Sequence, residues 1–210
     1  MKRVVSFIVF ACSAMSVSAQ VGNEWIHHDR PYLKIPVGRD GIYKVSHADL
    51  QQAGFPTGRD PNLLQLFHRG QEQAILVQGE SDGVFNASDY IEFYGRRNDG
   101  TLDSTLYDVA AHQPHQLYNL YSDTTAYFLT YGDAAGKRMA TFSVLPTGQA
   151  AESFHWEERL TILKESYSGG VDYGSVQKTV FDQGEGWMGV QVVQGQEVSY
   201  AISGITDIVS

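Results

Sequence analysis

The chain has 210 residues, 42% hydrophobic and 19% charged, enough for one sizeable core or two small domains and too apolar for a disordered polymer. Aromatic residues at 12%, together with 21 glycines, favour strands and tight turns over long amphipathic helices, which excludes an all-helical fold. A net charge of -9 denies a nucleic-acid backbone the cationic surface it needs, so nucleic-acid binding is set aside.

At the N-terminus, Lys2 and Arg3 precede a mostly apolar stretch from Val4 to Met15, and Val17-Ser18-Ala19 forms a small-residue cleavage signal ahead of Gln20. Residues 1–19 therefore read as a secretory signal peptide. The stretch is too short for a comfortable membrane span and no later window reaches the needed length, so the mature chain carries no predicted transmembrane segment. Removing 1–19 leaves 13 basic against 24 acidic side chains, a net charge of -11, and takes away Cys12, the only cysteine. Phe10 and Ala11 make a poor lipobox for Cys12, which reads as an ordinary signal-peptide residue. The mature chain then has no disulfide, no thiolate nucleophile and no cysteine metal ligand.

Pro31–Val37 and Ile42–Val45, separated by Arg39-Asp40-Gly41, predict a hairpin with an Asp-Gly turn. Ser46 opens a two-turn helix: its hydroxyl caps the first turn, Asp49 completes a capping-box pattern, Leu50 and Ala53 supply the buried side, and Gly54 followed by Pro56 stops it. Leu63–His68 and Gln73–Val77, joined by Arg69-Gly70, predict a second hairpin. Along Tyr90–Tyr94, Ile91 and Phe93 share one face. Ala126–Tyr131 is nearly continuously apolar or aromatic, the pattern of a central strand buried on both faces. Ala140–Leu145 and Trp156–Leu163 are further strand candidates, Ser168-Gly169-Gly170 reads as a loop, and Gly189–Val193 with Glu197–Ser203 predicts a last hairpin. The sum is an all-β, antiparallel, sandwich-like fold with one short helix. Ile205–Ser210 resembles the start of another strand, which suggests a continuing chain.

Gly184-Glu185-Gly186-Trp187-Met188-Gly189 matches the letters of a dinucleotide fingerprint, but Val190–Val193 continues as strand rather than helix and Glu185 would set an anion beside the phosphates. A glycine-rich turn ahead of a strand is the better reading. In Gln78–Asp89 the glycine of a calcium loop aligns with Gly83, which puts Glu80, Asp82 and Asp89 at ligand positions. Gln78 occupies the place of the leading carboxylate, so an Asp-Gly turn with solvated acids is preferred over a calcium site. The pairs His27-His28 and His112/His115 lack an element that would aim both rings at zinc and read as surface residues. No G-x-S-x-G elbow occurs, and Glu157-Glu158 would point to opposite strand faces. Asp103-Ser104-Thr105 and Asp123-Thr124-Thr125 resemble a short bacterial O-glycosylation signal at Ser104 and Thr124, with turn chemistry as the ordinary alternative.

The run Asp89–Gly95, continued by Asn98-Asp99-Gly100, Leu102-Asp103 and Leu106-Tyr107, resembles the N-terminal region of gingipain-like cysteine peptidases, especially the sortase-like members of the type IX secretion system. Tyr32–Ile35 with Asp40–Tyr43, Leu64-Gln65-Leu66 with Arg69-Gly70, Asp123-Thr124 with Tyr127–Thr130, and Gly184–Trp187 fit the same pattern collinearly over residues 24–208. The resemblance implies a β-rich, non-catalytic N-terminal accessory region, followed in full-length relatives by a caspase-like domain with a Cys and His dyad. It also implies export to the periplasm, the outer-membrane surface or the extracellular space. The implied partners are the downstream catalytic domain of the same polypeptide, type IX secretion components and secreted substrate proteins. Neither catalytic residue carries over, because the mature chain has no Cys and none of its His residues lies in the family's catalytic motif.

Two other readings stand beside this one. An independent extracellular module could bind glycan or protein through exposed aromatics such as Trp156 and Trp187. A self-contained hydrolase would need a nucleophile, base or metal site that the sequence does not display.

Overall fold

The computed structural model describes residues 22–143, 148, 161–170 and 179–201. The predicted signal peptide 1–19, the tail 202–210 and most of the Trp156–Leu163 candidate lie outside the described residues. Nine strands are described: β1 (Leu33–Val37), β2 (Gly41–Ser46), β3 (Leu64–His68), β4 (Gln71–Gln73), β5 (Leu76–Gln78), β6 (Tyr90–Gly95), β7 (Thr125–Tyr131), β8 (Ser166–Gly169) and β9 (Glu185–Met188). They form a four-stranded sheet ordered β1-β7-β3-β4, a three-stranded sheet ordered β2-β6-β5 and the separate pair β8-β9. All strand pairings are antiparallel. The single α-helix among the described residues, α1 (His47–Gln52), follows β2. The fold is all-β with one short helix.

The two larger sheets face each other across one core. Val37, Leu64, Leu66, Tyr127, Leu129 and Tyr131 come from the first sheet, and Val45, Val77, Ile91 and Phe93 from the second. Phe93 and Tyr127 meet between them with ring centroids 5.1 Å apart. The period-2 geometry of a strand explains why these residues lie on the inner faces, while Lys44 and Tyr94 point out from the second sheet. Strand β7 is buried on both faces. Its outer face is covered by the N-terminal segment, where Trp25 stacks on Phe67 and packs against Phe128, and the Thr130 hydroxyl donates to the Pro31 carbonyl. Pro36 is tolerated in β1 because that strand is an edge.

The helix forms as its sequence predicts. Ser46 Oγ accepts from the Asp49 amide, the Asp49 carboxylate accepts from the Ser46 amide at 2.8 Å, and Gly54 takes a positive φ of 71° at the stop. The buried partner of Leu50 is Phe55, however, and Ala53 is exposed. Arg69-Gly70 makes a tight hairpin turn between β3 and β4, both residues having positive φ (49° and 77°) as a type I′ turn requires.

Several expected pairings are corrected. Strands β1 and β2 are not a hairpin: β1 pairs with β7 and β2 with β6, so the chain crosses between sheets at Gly38–Asp40. The expected strand 73–77 is divided, β4 staying in the first sheet and β5 joining the second after Ala74-Ile75. Residues 140–143 are not strand, and 144–145 lie outside the described residues. The expected last hairpin turns at Gly195, where the Gln196 amide donates to the Val193 carbonyl at 3.0 Å, but its described arms carry no strand ladder. Ser168 and Gly169 belong to β8, and Gly186 lies within β9, so the sequence Gly184–Gly189 neither precedes a helix nor forms a phosphate loop.

Candidate functional site

At one end of the sandwich the inner row of β3 finishes with His68, which stacks on Tyr127. Beside it lies a cleft of about 620 Å³ lined by residues of both sheets. Arg69 enters it from the β3–β4 turn, Gln71 and Gln73 from edge strand β4, and Tyr94, Arg96, Arg97 and Asp99 from the end of β6 and the loop after it. A second hollow of about 290 Å³ shares Tyr94, Arg96, Arg97 and Asp99 and extends the cleft toward Leu117. In a chain of net charge -9, this groove gathers arginines 69, 96 and 97 with only Asp99 and Asp40 as acids on its walls.

The local backbone is fixed before any ligand arrives. A Cβ on Gly95 would come within 2.7 Å of the Tyr43 ring and 3.0 Å of Val37, so only glycine lets the end of β6 press onto the core here. The Arg96 amide then donates to the Tyr127 hydroxyl at 3.0 Å and the Arg97 amide to Asp40 at 2.7 Å. Asn98 and Asp99 continue the clamp through the Asp123 carbonyl and the Thr101 amide.

The guanidinium groups differ. Arg69 donates to Thr101 at 3.2 Å and to Asn98 at 3.0 Å, and lies 3.5 Å from the Asp99 carboxylate. Arg97 donates to the Leu117 carbonyl, and its Nη1 sits 3.9 Å from Asp123. The exposed Arg96 side chain has no hydrogen-bond or ion-pair partner among the described residues. Burial alone would raise Asp99, but hydrogen bonds from Thr101, then Arg69, outweigh it and hold its carboxyl below the ordinary range. Burial first, then Arg69, lowers the His68 imidazole, so the groove keeps its acid charged and its histidine neutral near pH 7.

Glu80, Asp82 and Asp89 do not converge. The Glu80 carboxylate accepts from Arg138 at 2.7 Å, and Asp82 accepts from the Val84 amide at 2.9 Å and the Asn86 side chain at 2.8 Å. The buried Asp89 accepts from the Asn86 amide at 2.6 Å, and its carboxylate lies where a side chain on Gly79 would be. Among the described residues no group of three or more His, Cys, Asp or Glu side chains could hold a metal ion. The hydrogen bonds are those of turn-building acids.

His27 and His28 are exposed, and His112 and His115 are half-buried. The His115 Nδ1 accepts from the Leu117 amide and its ring packs edge-on against Tyr118, 4.4 Å between centroids. Ser104 lies half-buried in a 3-10 helix (Gly100–Leu106) beside the buried Asp103, whereas Thr124 is exposed.

Strands β8 and β9 dock on the loop 100–121. The Tyr107 and Tyr118 hydroxyls donate to the Glu185 and Trp187 carbonyls, each at 2.7 Å, and the Trp187 indole donates to the Leu120 carbonyl at 3.0 Å. Burial first, then Asp103 and Glu185, pushes the Tyr107 phenol up to about 12, so it remains a donor. Trp187 is thus anchored along its polar edge and has Tyr167 edge-on at 5.3 Å.

The sequence reading missed the cleft. Its signal was an Arg-Arg pair just after a strand and an Arg-Gly turn in an acidic chain, but only the fold brings those pieces together. In comparison with known proteins, no family model, no curated protein and no solved structure matches the chain.

Proposed function

We propose that this chain is the non-catalytic N-terminal β-region of a secreted gingipain-like cysteine peptidase of the sortase-like, type IX secretion kind, and that it binds and positions rather than cleaves. The collinear sequence resemblance motivates the reading. The observation that carries it is an apolar surface run: Trp187, Met188, Val190, Val192, Val193, Val198 and Tyr200 are each 36–52% exposed, while the sandwich core is closed without them. A run of that kind suits a neighbouring domain of the same polypeptide, for which a catalytic domain is the candidate.

An antibody against residues 22–143, used on the native host, tests this. The expected result is an exported polypeptide well above 23.3 kDa that reacts with an active-site thiol probe. A product near that mass that never takes up the probe would overturn it. The purified chain alone is expected to cleave no peptide substrate, because its only thiol, Cys12, belongs to the predicted signal peptide.

A binding module for glycan or protein is the second reading, and the arginine-lined cleft favours it.

A further inference from the structure

We propose that the cleft between His68, Arg69, Tyr94 and Arg96 binds an acidic saccharide, a short chain of uronic-acid residues whose carboxylates meet Arg96 and Arg69 and whose ring faces pack on Tyr94. This stands whether or not a peptidase domain shares the polypeptide.

The groove is built for an anion. Arg69 is the only non-glycine among the described residues with a positive φ. Asn, Asp or Gly is the ordinary occupant of that turn position, so an arginine there carries backbone strain. Its contacts with Asn98, Thr101 and Asp99 hold the guanidinium in place, yet they leave some of its five donors unengaged. Arg96 is anchored through its amide while its guanidinium has no partner among the described residues. Arg96 lies beside the like charges of Arg69 and Arg97, against which the walls set only Asp99 and Asp40, so a bound carboxylate adds a counter-charge to a site left net positive. The remaining walls select among anions. The lining contains no lysine, and planar arginine forks match planar carboxylates bidentately. Tyr94, 49% exposed, offers an aromatic face to a sugar ring. Gln71 and Gln73, on the same side of β4, offer amides to hydroxyl groups. The main hollow, about 620 Å³, falls within the range of small-ligand sites, and the second hollow, which shares four lining residues with it, adds room for more than a single ring.

Calorimetry on the purified chain with trigalacturonate, maltotriose, hexaglutamate and inorganic phosphate tests the inference. Trigalacturonate is expected to bind at least about tenfold more tightly than the other probes, with affinity falling as salt rises. Arg96→Ala should weaken it about tenfold or more without loss of fold, since that side chain holds nothing else, and Tyr94→Ala should weaken it about fivefold. Lys44→Ala, at a residue whose ammonium sits over the Tyr90 ring and lines neither hollow, should leave it unchanged. As a second readout, bound uronide should raise the His68 imidazole titration followed by NMR. Absence of uronide binding, or binding unaffected by Arg96→Ala, overturns the site. Equal affinity for hexaglutamate or phosphate, with Tyr94→Ala harmless, overturns the saccharide and leaves a general anion patch.

Discussion

The imidazole of His68 lies flat on the ring of Tyr127, 4.2 Å between centroids with planes 4° apart, and the two residues are direct register partners on β3 and β7. His68 Nε2 also lies 3.0 Å from the Thr125 hydroxyl, which leaves the ring little water to solvate a positive charge.

Burial, then the Arg69 and Arg96 charges, pull the folded-state value of His68 below the ordinary 6.5, with Asp99 opposing. The unfolded chain therefore binds this proton at a higher pH than the folded one, so stability rises with pH across the window. The contribution is complete above about pH 6.5 and is lost as pH falls below it through the folded value. Melting temperatures between pH 7.5 and 5 should fall more steeply for the natural protein than for His68→Gln. Parallel curves would refute the assignment.

Gly79 should not accept a side chain. Its φ is 94°, and a Cβ there would sit 2.0 Å from an oxygen of the buried Asp89. Backbone strain and the displaced carboxylate together should cost Gly79→Ala more than about 2 kcal/mol in urea unfolding. A loss under about half that would mean that the loop relaxes freely.

Arg138 holds the entrance of β3 together. Its guanidinium donates to the Pro61 and Asn62 carbonyls at 2.9 Å each, to the Leu64 carbonyl at 3.1 Å and to Glu80. Arg138→Met should destabilise by about 2–3 kcal/mol, because Glu80 loses its cation and the Pro61, Asn62 and Leu64 carbonyls each lose a hydrogen bond at partly buried sites. Arg138→Lys should recover less than half, since an ammonium cannot reach so many acceptors in one plane. Full recovery by lysine would show that charge alone matters.

Asp82 works through its turn. Asp82→Ala should cost about 1 kcal/mol by removing the contacts to Val84 and Asn86, and the loss should be the same in EDTA as in millimolar calcium. A melting temperature that calcium raises in the natural protein but not in Asp82→Ala would assign the loop to calcium instead.

Features with local causes were legible in the sequence. Ser46 and Asp49 close their capping box within a few residues, and Ile91 and Phe93 alternate inward as strand geometry demands. The double burial of β7 follows from a nearly continuous apolar and aromatic run. Partner choice was not legible, since Arg39-Asp40-Gly41 serves a hairpin or a crossing between sheets equally well, and the partner of β1 lies far along the chain. The exposed Val190, Val192 and Val193 show the same gap: their apolar pattern signals a strand, but no facing sheet covers them among the described residues. The groove failed to show for a related reason. Arg69, Tyr94 and Arg96 belong to no ligand-binding motif and line one cleft only in the folded chain.

The crossing order also sets a timetable. Among the described strands β1 pairs only with β7, whereas all the described strands of the second sheet are present once Gly95 is made. A ribosome working at about 5–20 residues per second delivers β1 roughly 5–20 s before β7. Throughout that interval Leu33–Val37 has no strand to bind, and Leu64–His68 can pair only with its short hairpin neighbour. A nascent chain stopped before Thr125 should therefore remain protease-sensitive and bound to chaperones. Emergence of Tyr131 gives both strands their shared neighbour, and with it the first moment at which the chain can leave its chaperone folded.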